Sequence, residues 1–238
     1  MAVMDLLNLF KIIFAIVSVI IAFVAGFIEL RLNPDNWLNR WFALFFISTS
    51  MAFLMYTLYH LWPITPGNFE QDQLIIIPMM ISAHFFFNLP AICLVMTVFI
   101  LEKYKKIAMD IKHLGTMLLL FVIMSIGYFI PGLTPHLEEV EHGAGLIDTH
   151  TPFPLFLFVN IIRIGLFGYV VFKYAVIARK VEDSTKKRVQ WFFAGVVIVI
   201  TGVLFNLFGG SLGVVYFEIF ALILFNIGIF VIIKGFLI

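Results

Sequence analysis

Seven long apolar runs, separated by short polar connections, fill almost the whole sequence. Each is continuously apolar over about twenty residues, the length an α-helix needs to cross the hydrocarbon core of a bilayer. A membrane β-barrel would instead alternate apolar and polar positions in segments of roughly ten residues. The runs predict helical spans at 12–30, 41–62, 74–101, 114–131, 153–172, 189–209 and 213–233. Breaker residues mark the intervals, from Asn33-Pro34-Asp35-Asn36 after the first run to Gly209-Gly210-Ser211 before the last. The longest interval, 132–152, sits among Pro131, Pro135 and Pro152 and reads as an ordered or semi-ordered connection.

Composition turns this pattern into a class. Apolar residues make up 63% of the chain and charged residues only 12%, against about 25% charged in soluble domains. Too few polar side chains remain to cover a water-facing exterior. The expectation is an all-α membrane protein, one seven-transmembrane-helix bundle spanning 1–238, in a prokaryotic cytoplasmic membrane. The net charge of +1 offers nothing to nucleic acid. The single cysteine, Cys93, rules out an internal disulfide. Asp5 without a basic n-region, and a first run longer than a signal-peptide core, argue against a cleaved leader.

Charge then orients the bundle. The first, third and fifth connections and their flanks carry Arg31, Arg40, Lys103, Lys105, Lys106, Lys112, Lys173, Arg179, Lys180, Lys186, Lys187 and Arg188, and the second, fourth and sixth carry no Lys or Arg. The positive-inside bias therefore predicts an N-terminus outside and a C-terminus in the cytoplasm. Trp37, Trp41, Trp62 and Trp191 fall near the expected interfaces. Lys103, Lys105, Lys106, Arg179, Lys180, Lys186, Lys187 and Arg188 are the candidate contacts to anionic lipid head groups or to a cytoplasmic partner.

Ionisable groups within the runs are the first place to seek chemistry, because a lone charge in hydrocarbon is costly. His84 lies about ten residues into the third run, Arg163 about ten into the fifth and Glu218 about five into the seventh, all in the outer half or near the midplane. Asn160 shares a helix face with Arg163, and Asn88 with His84, by their spacings of three and four. With Asn206 on the sixth run, these residues predict a polar pocket that receives an anionic or polar ligand or relays protons, built round an Arg163–Glu218 ion pair. The alternative reading is a structural pair, with the asparagines (Asn226 included) as interhelical hydrogen bonds. Pro78 and Pro90 place a kink beside the same residues.

A second cluster, His136, His142 and His150 with Glu138, Glu139, Glu141 and Asp148, carries donors suited to zinc. Its spacing matches no standard ligand signature, and a hydrated acidic loop explains it equally. The remaining chemistries fail on placement, so no cofactor is predicted. Lys234 lies at the end of the seventh run, not midway as retinal linkage needs. His60, His84 and His113 differ in depth, against a two-histidine haem. Ser82 and His84 alone cannot form the zinc site of the adiponectin-receptor type of hydrolase.

Asn39-Arg40-Trp41-Phe42-Ala43-Leu44-Phe45-Phe46 opens the second run, Lys187-Arg188-Val189-Gln190-Trp191-Phe192-Phe193-Ala194-Gly195 opens the sixth, and the last ends Ile233-Lys234-Gly235-Phe236. With the N-out, seven-span topology, these segments resemble the N-terminal seven-helix sensory module of prokaryotic histidine kinases and diguanylate cyclases. The chain ends where that family continues into a signalling domain, so the resemblance implies a stand-alone sensor or a repurposed subunit. The expectation is a non-enzymatic, receptor-like sensor passing a ligand or membrane signal to a cytoplasmic signalling protein. The alternative is an accessory subunit of a larger membrane complex for redox, transport or assembly, with other subunits or a second copy of the chain as partners.

Overall fold

A computed structural model describes residues 6–62, 69–103, 110–138, 148–180 and 183–237. Helix α1 spans Leu6–Leu32, α2 Trp37–Leu61, α3 Phe69–Lys103, α4 Ile111–Ile126, α5 Phe153–Lys180, α6 Asp183–Leu212 and α7 Val215–Leu237. A 3-10 turn, Gly127–Phe129, closes α4. Among the described residues seven helices are long and apolar enough to cross a membrane, so the expected all-α bundle is the observed one. Most of the helices overrun the apolar runs that announced them, because their polar ends continue past the hydrocarbon. At its start α3 begins five residues earlier than the run, and α5 continues to Lys180 rather than 172.

The connection between α4 and α5 contains a two-stranded antiparallel hairpin that apolar periodicity does not show. Its strands β1 (His136–Glu138) and β2 (Asp148–His150) pair His136 with His150 and Leu137 with Thr149. Leu137 is buried against Tyr59, Ile76, Met80 and Ala83, which seats the hairpin across the ends of α2 and α3. The bundle thus has a hairpin end and, at the other ends of the helices, a basic end.

Capping fixes the short connections at the basic end. Asn36 accepts from the Leu38 N–H at 3.0 Å, and Asp110 accepts from the Lys112 N–H at 3.3 Å, each satisfying a free donor of a first turn. His113 Nδ1 lies 2.6 Å from the same Asp110 carboxyl, and these two contacts hold that carboxyl below its ordinary range, the His113 bond foremost. At the hairpin end Gly213 takes a φ of 64°, and the Val214 N–H returns to the Gly209 carbonyl at 3.1 Å. This is the left-handed stop that lets α6 reverse into α7 within two residues.

Helix packing forms a ring. α1 lies against α2 and α7, α2 against α3, α3 against α5, α5 against α6 and α6 against α7, while α4 flanks α3 outside the ring. The α6–α7 contact is the closest, and small residues make it so. Gly195, Gly202 and Gly209 recur every seven residues along α6 and meet Gly228, Ala221 and Glu218 of the antiparallel α7. A Cβ at Gly195 would stand 2.8 Å from both the Gly228 carbonyl oxygen and the Ile232 nitrogen, so the backbones touch as small-residue membrane interfaces do. Large apolar residues cover the outside instead, among them Phe23 and Phe27 of α1, Leu118 and Leu119 of α4, and Phe230 of α7.

The core sits in the basic half. Every residue of α3 from Ala91 to Val98 is buried, packed by Phe42, Phe45 and Phe46 of α2, Phe167 and Tyr174 of α5, and Phe192, Val196 and Ile229 of α6 and α7. Thr97 and Tyr174 share a buried hydroxyl contact of 2.9 Å. In this half α3 is the most deeply buried helix of the ring.

Gly195→Ala is expected to destabilise the bundle by about 2 kcal/mol, because the Gly228 and Ile232 backbone, as well as the Ile232 side chain, occupies the space. Gly165→Ala, on an exposed face of α5 with nothing near its Cβ, is expected to be neutral. Thermal unfolding of both variants in one detergent checks the difference.

Candidate functional site

In the hairpin half the ring is not filled. Residues of all six ring helices, with Tyr128 and Thr151, enclose a cavity of about 330 Å³. The lining follows helical spacing: Thr49, Phe53, Tyr56 and His60 on α2; Met80, His84, Phe87 and Pro90 on α3; Phe156, Asn160, Arg163 and Phe167 on α5. These are i, i+4, i+7 stripes, each placing polar groups among aromatic ones on one helix face. Pro90 is the innermost α3 residue of the lining. It has no N–H to give the Phe86 carbonyl, and it marks where the dry core ends and the cavity begins.

Arg163 dominates the polar wall. Its Nε and one terminal nitrogen both donate to Asn88 Oδ1, at 3.0 and 2.7 Å. The other terminal nitrogen donates to Asn160 Oδ1 at 3.2 Å, and a longer bond of 3.4 Å reaches the His84 carbonyl. Asn88, fully buried, is itself fixed, donating to the Met124 carbonyl and to Ser125 Oγ at 3.3 and 3.2 Å. The His84 ring stacks on Tyr128 at 4.9 Å between centroids, and its Nε2 lies 3.2 Å from Thr151 Oγ1 at the foot of the hairpin. His84, Asn88, Asn160 and Arg163 therefore form one connected group. Spacing put His84 with Asn88 and Asn160 with Arg163, and the Arg163–Asn88 bonds join the two pairs. Asn206 and Glu218 line the same cavity.

The expected Arg163–Glu218 ion pair does not form. Glu218 pairs with Lys11 of α1, and both side chains are largely buried. Depth and ring order explain the exchange. Arg163 lies ten residues into α5 and Glu218 three into α7, a difference in depth of about 10 Å, and α6 stands between the two helices. Lys11 lies at a depth similar to that of Glu218 on the adjacent α1. Among the described residues no carboxylate lies within ion-pair distance of Arg163.

Lys11, Tyr128 and Thr151 are cavity residues that sequence reasoning missed. Lys11 precedes the first apolar run by one residue and reads as a flank. Its signal was a lysine at the end that otherwise lacks them. Tyr128 and Thr151 lie at or beyond span ends, where periodicity carries no information. His60 lines the cavity too, with Nδ1 2.9 Å from the Tyr56 carbonyl oxygen and its ring against Tyr56 and Tyr59.

Other candidates fall elsewhere. His136 and His150 stand opposite each other in the hairpin register, and His142 lies outside the described residues. Among the described residues no three His, Cys, Asp or Glu side chains come together as a metal site. Asn226 bridges α7 to α1, accepting from Ser18 and donating to the Phe14 carbonyl, the interhelical role foreseen for it. At the basic end Lys103 closes α3, Arg179 and Lys180 close α5, and Lys186, Lys187 and Arg188 open α6, while Lys105 and Lys106 lie outside the described residues. Glu29, buried near that end, accepts from Asn39 at 3.1 Å through one oxygen, and its other oxygen has no partner among the described residues.

No family model matches the chain, and no curated protein matches it either. Fold and site together define the class: a polytopic α-helical membrane protein with an amphipathic cavity in one half of its bundle.

Replacing Asn88 by Leu is expected to cost about 3 kcal/mol, because it strips a buried guanidinium of its two-bond partner. Asn206→Leu, on the same cavity, is expected to stay within about 0.5 kcal/mol. Unfolding midpoints of the purified variants in one micelle system measure both.

Proposed function

We propose that this protein is a receptor-like, non-enzymatic sensor of a prokaryotic cytoplasmic membrane, akin to the seven-helix sensory modules its sequence resembles. In this reading the N-terminus and the hairpin face outward, and the C-terminus and the basic loops face the cytoplasm. The observation that carries it is the split of the bundle into a cavity-bearing half and a dry half packed round α3. All six ring helices line the cavity and continue to the basic end. A ligand that favours one arrangement of the cavity wall therefore biases the whole bundle. The basic helix ends, Lys103, Arg179, Lys180, Lys186, Lys187 and Arg188, would receive the change, in contact with anionic lipid and with an acidic surface of a cytoplasmic signalling protein. The chemistry in the cavity fits binding rather than turnover. Ser82 gives its hydroxyl to the Pro78 carbonyl at 2.7 Å, not to His84, so these two residues make no nucleophile–base pair.

Two measurements test this reading. In a Cys93→Ser background, a cysteine at His136 is expected to react with membrane-impermeant maleimide in intact cells, and one at Lys187 only after permeabilisation. The opposite labelling refutes the orientation. Cells carrying Arg163→Gln or Glu218→Gln, inserted at the wild-type level, are expected to reproduce the transcriptional profile of a deletion. A wild-type profile from both variants refutes the sensing role.

The accessory-subunit reading has one observation on its side. α4 packs on the rest of the bundle through few residues, and its outer face presents Leu118, Leu119, Val122 and Ile126. Recovery of the chain from native membranes in fixed stoichiometry with other integral subunits would favour that role over sensing.

A further inference from the structure

We infer that the cavity receives a small carboxylate with an apolar body, its carboxylate seated on Arg163. This assignment names the ligand class of the proposed sensor and rests on that reading for its biological meaning.

Charge supplies the first constraint. Lys11 and Glu218 neutralise each other, whereas the partners of Arg163 among the described residues are neutral: Asn88, Asn160, the His84 carbonyl and the Tyr128 hydroxyl. Those bonds satisfy N–H donors but leave the charge uncompensated, and arginine does not escape by deprotonation. Among the described residues the cavity lining therefore carries one unbalanced positive charge, and protonating His60 or His84 would only add to it. A buried charge of this kind calls for an opposite one. A single anion completes the balance. A cationic amine would be repelled, and a zwitterion would need a free acid where Glu218 is already taken.

Shape and polarity supply the second. The planar guanidinium fork matches a carboxylate. Around it Phe53, Phe87, Phe156, Phe167 and Phe225 line the walls, surfaces that favour an apolar body and disfavour a hydrated inorganic ion. A volume of about 330 Å³ equals on the order of ten water volumes, room for a molecule of roughly ten non-hydrogen atoms. Aryl acetates and medium-chain fatty acids have this size and polarity.

Binding to the purified full chain in nanodiscs tests the assignment, read as saturable heat above that of protein-free nanodiscs. The probes are phenylacetate, octanoate, the neutral phenylacetamide and inorganic phosphate. Phenylacetate and octanoate are expected to bind at least tenfold more tightly than phenylacetamide or phosphate. Arg163→Gln should erase the preference for acid over amide, and Arg163→Lys should retain part of it. Gly210→Leu should exclude octanoate by filling the cavity, since a Cβ there meets Phe156 only at an ordinary 3.5 Å. If Arg163→Gln does not fold, the lysine and Gly210 variants decide. Equal binding of amide and acid, tighter binding of phosphate, or a preference that survives Arg163→Gln overturns the assignment. Carboxylate binding with a wild-type profile in both Arg163→Gln and Glu218→Gln cells would overturn the sensing role and leave the ligand class standing. A deletion-like profile without carboxylate preference would do the reverse.

Discussion

A guanidinium placed within a membrane-spanning helix sets the terms for the half of the molecule around it. Arginine keeps its charge, so Arg163 requires polar partners wherever α5 puts it. Asn88 supplies two of the bonds, and its own amide is held by the Met124 carbonyl and Ser125. One buried side chain thus ties α3, α4 and α5 together at a single depth. It is also the clearest polar link that α4 makes to the ring, since that helix otherwise leans on the bundle through a narrow apolar face. Dissolving this node would leave a buried charge unsatisfied, which costs more than any one apolar contact nearby.

Opposite that node, the bundle is closed by the absence of side chains. The glycines of α6 let α7 approach until backbone meets backbone, and Gly209 brings the α6 backbone against Glu218 just where that carboxylate joins Lys11. The two sides therefore solve different problems. The α3–α4–α5 side spends polarity to hold a charge, and the α6–α7–α1 side uses close packing to position an ion pair that cancels itself. The cavity lies between them, and the single unbalanced charge among its described lining residues follows from that division.

Much of the architecture was legible because bilayer thickness is a severe constraint. Continuous apolar length marked all seven helices, and the hydrophilic overruns of α3 and α5 escaped because nothing apolar signals them. The pairs His84–Asn88 and Asn160–Arg163 were legible for a related reason: spacings of three and four fix which residues share a face, whatever the tertiary fold. Pairing between helices was not. Whether Glu218 meets Arg163 or Lys11 depends on ring order and on relative depth, and neither is encoded locally. The hairpin escaped as well, since three-residue strands are too short for alternation to show, and with it went the contact of Thr151 to His84.

That contact bears on how the halves would communicate under the proposed role. Pro78 and Pro90 bracket the stretch of α3 that carries His84 and Asn88, and each removes one rung of the helix's hydrogen-bond ladder. Between them the helix is softer than in the Ala91–Val98 segment, which is buried on every side. A displacement of the soft stretch, whether from Thr151 through His84 or from Arg163 through Asn88, would meet a segment buried along its whole length. Packed interiors shift as units rather than deforming continuously. The soft stretch therefore either stops the displacement at Pro90 or passes it to the whole inner half of α3. If the proposed sensing role holds, such an all-or-none response of α3 would be the physical basis on which a ligand in the cavity alters the other end of the bundle.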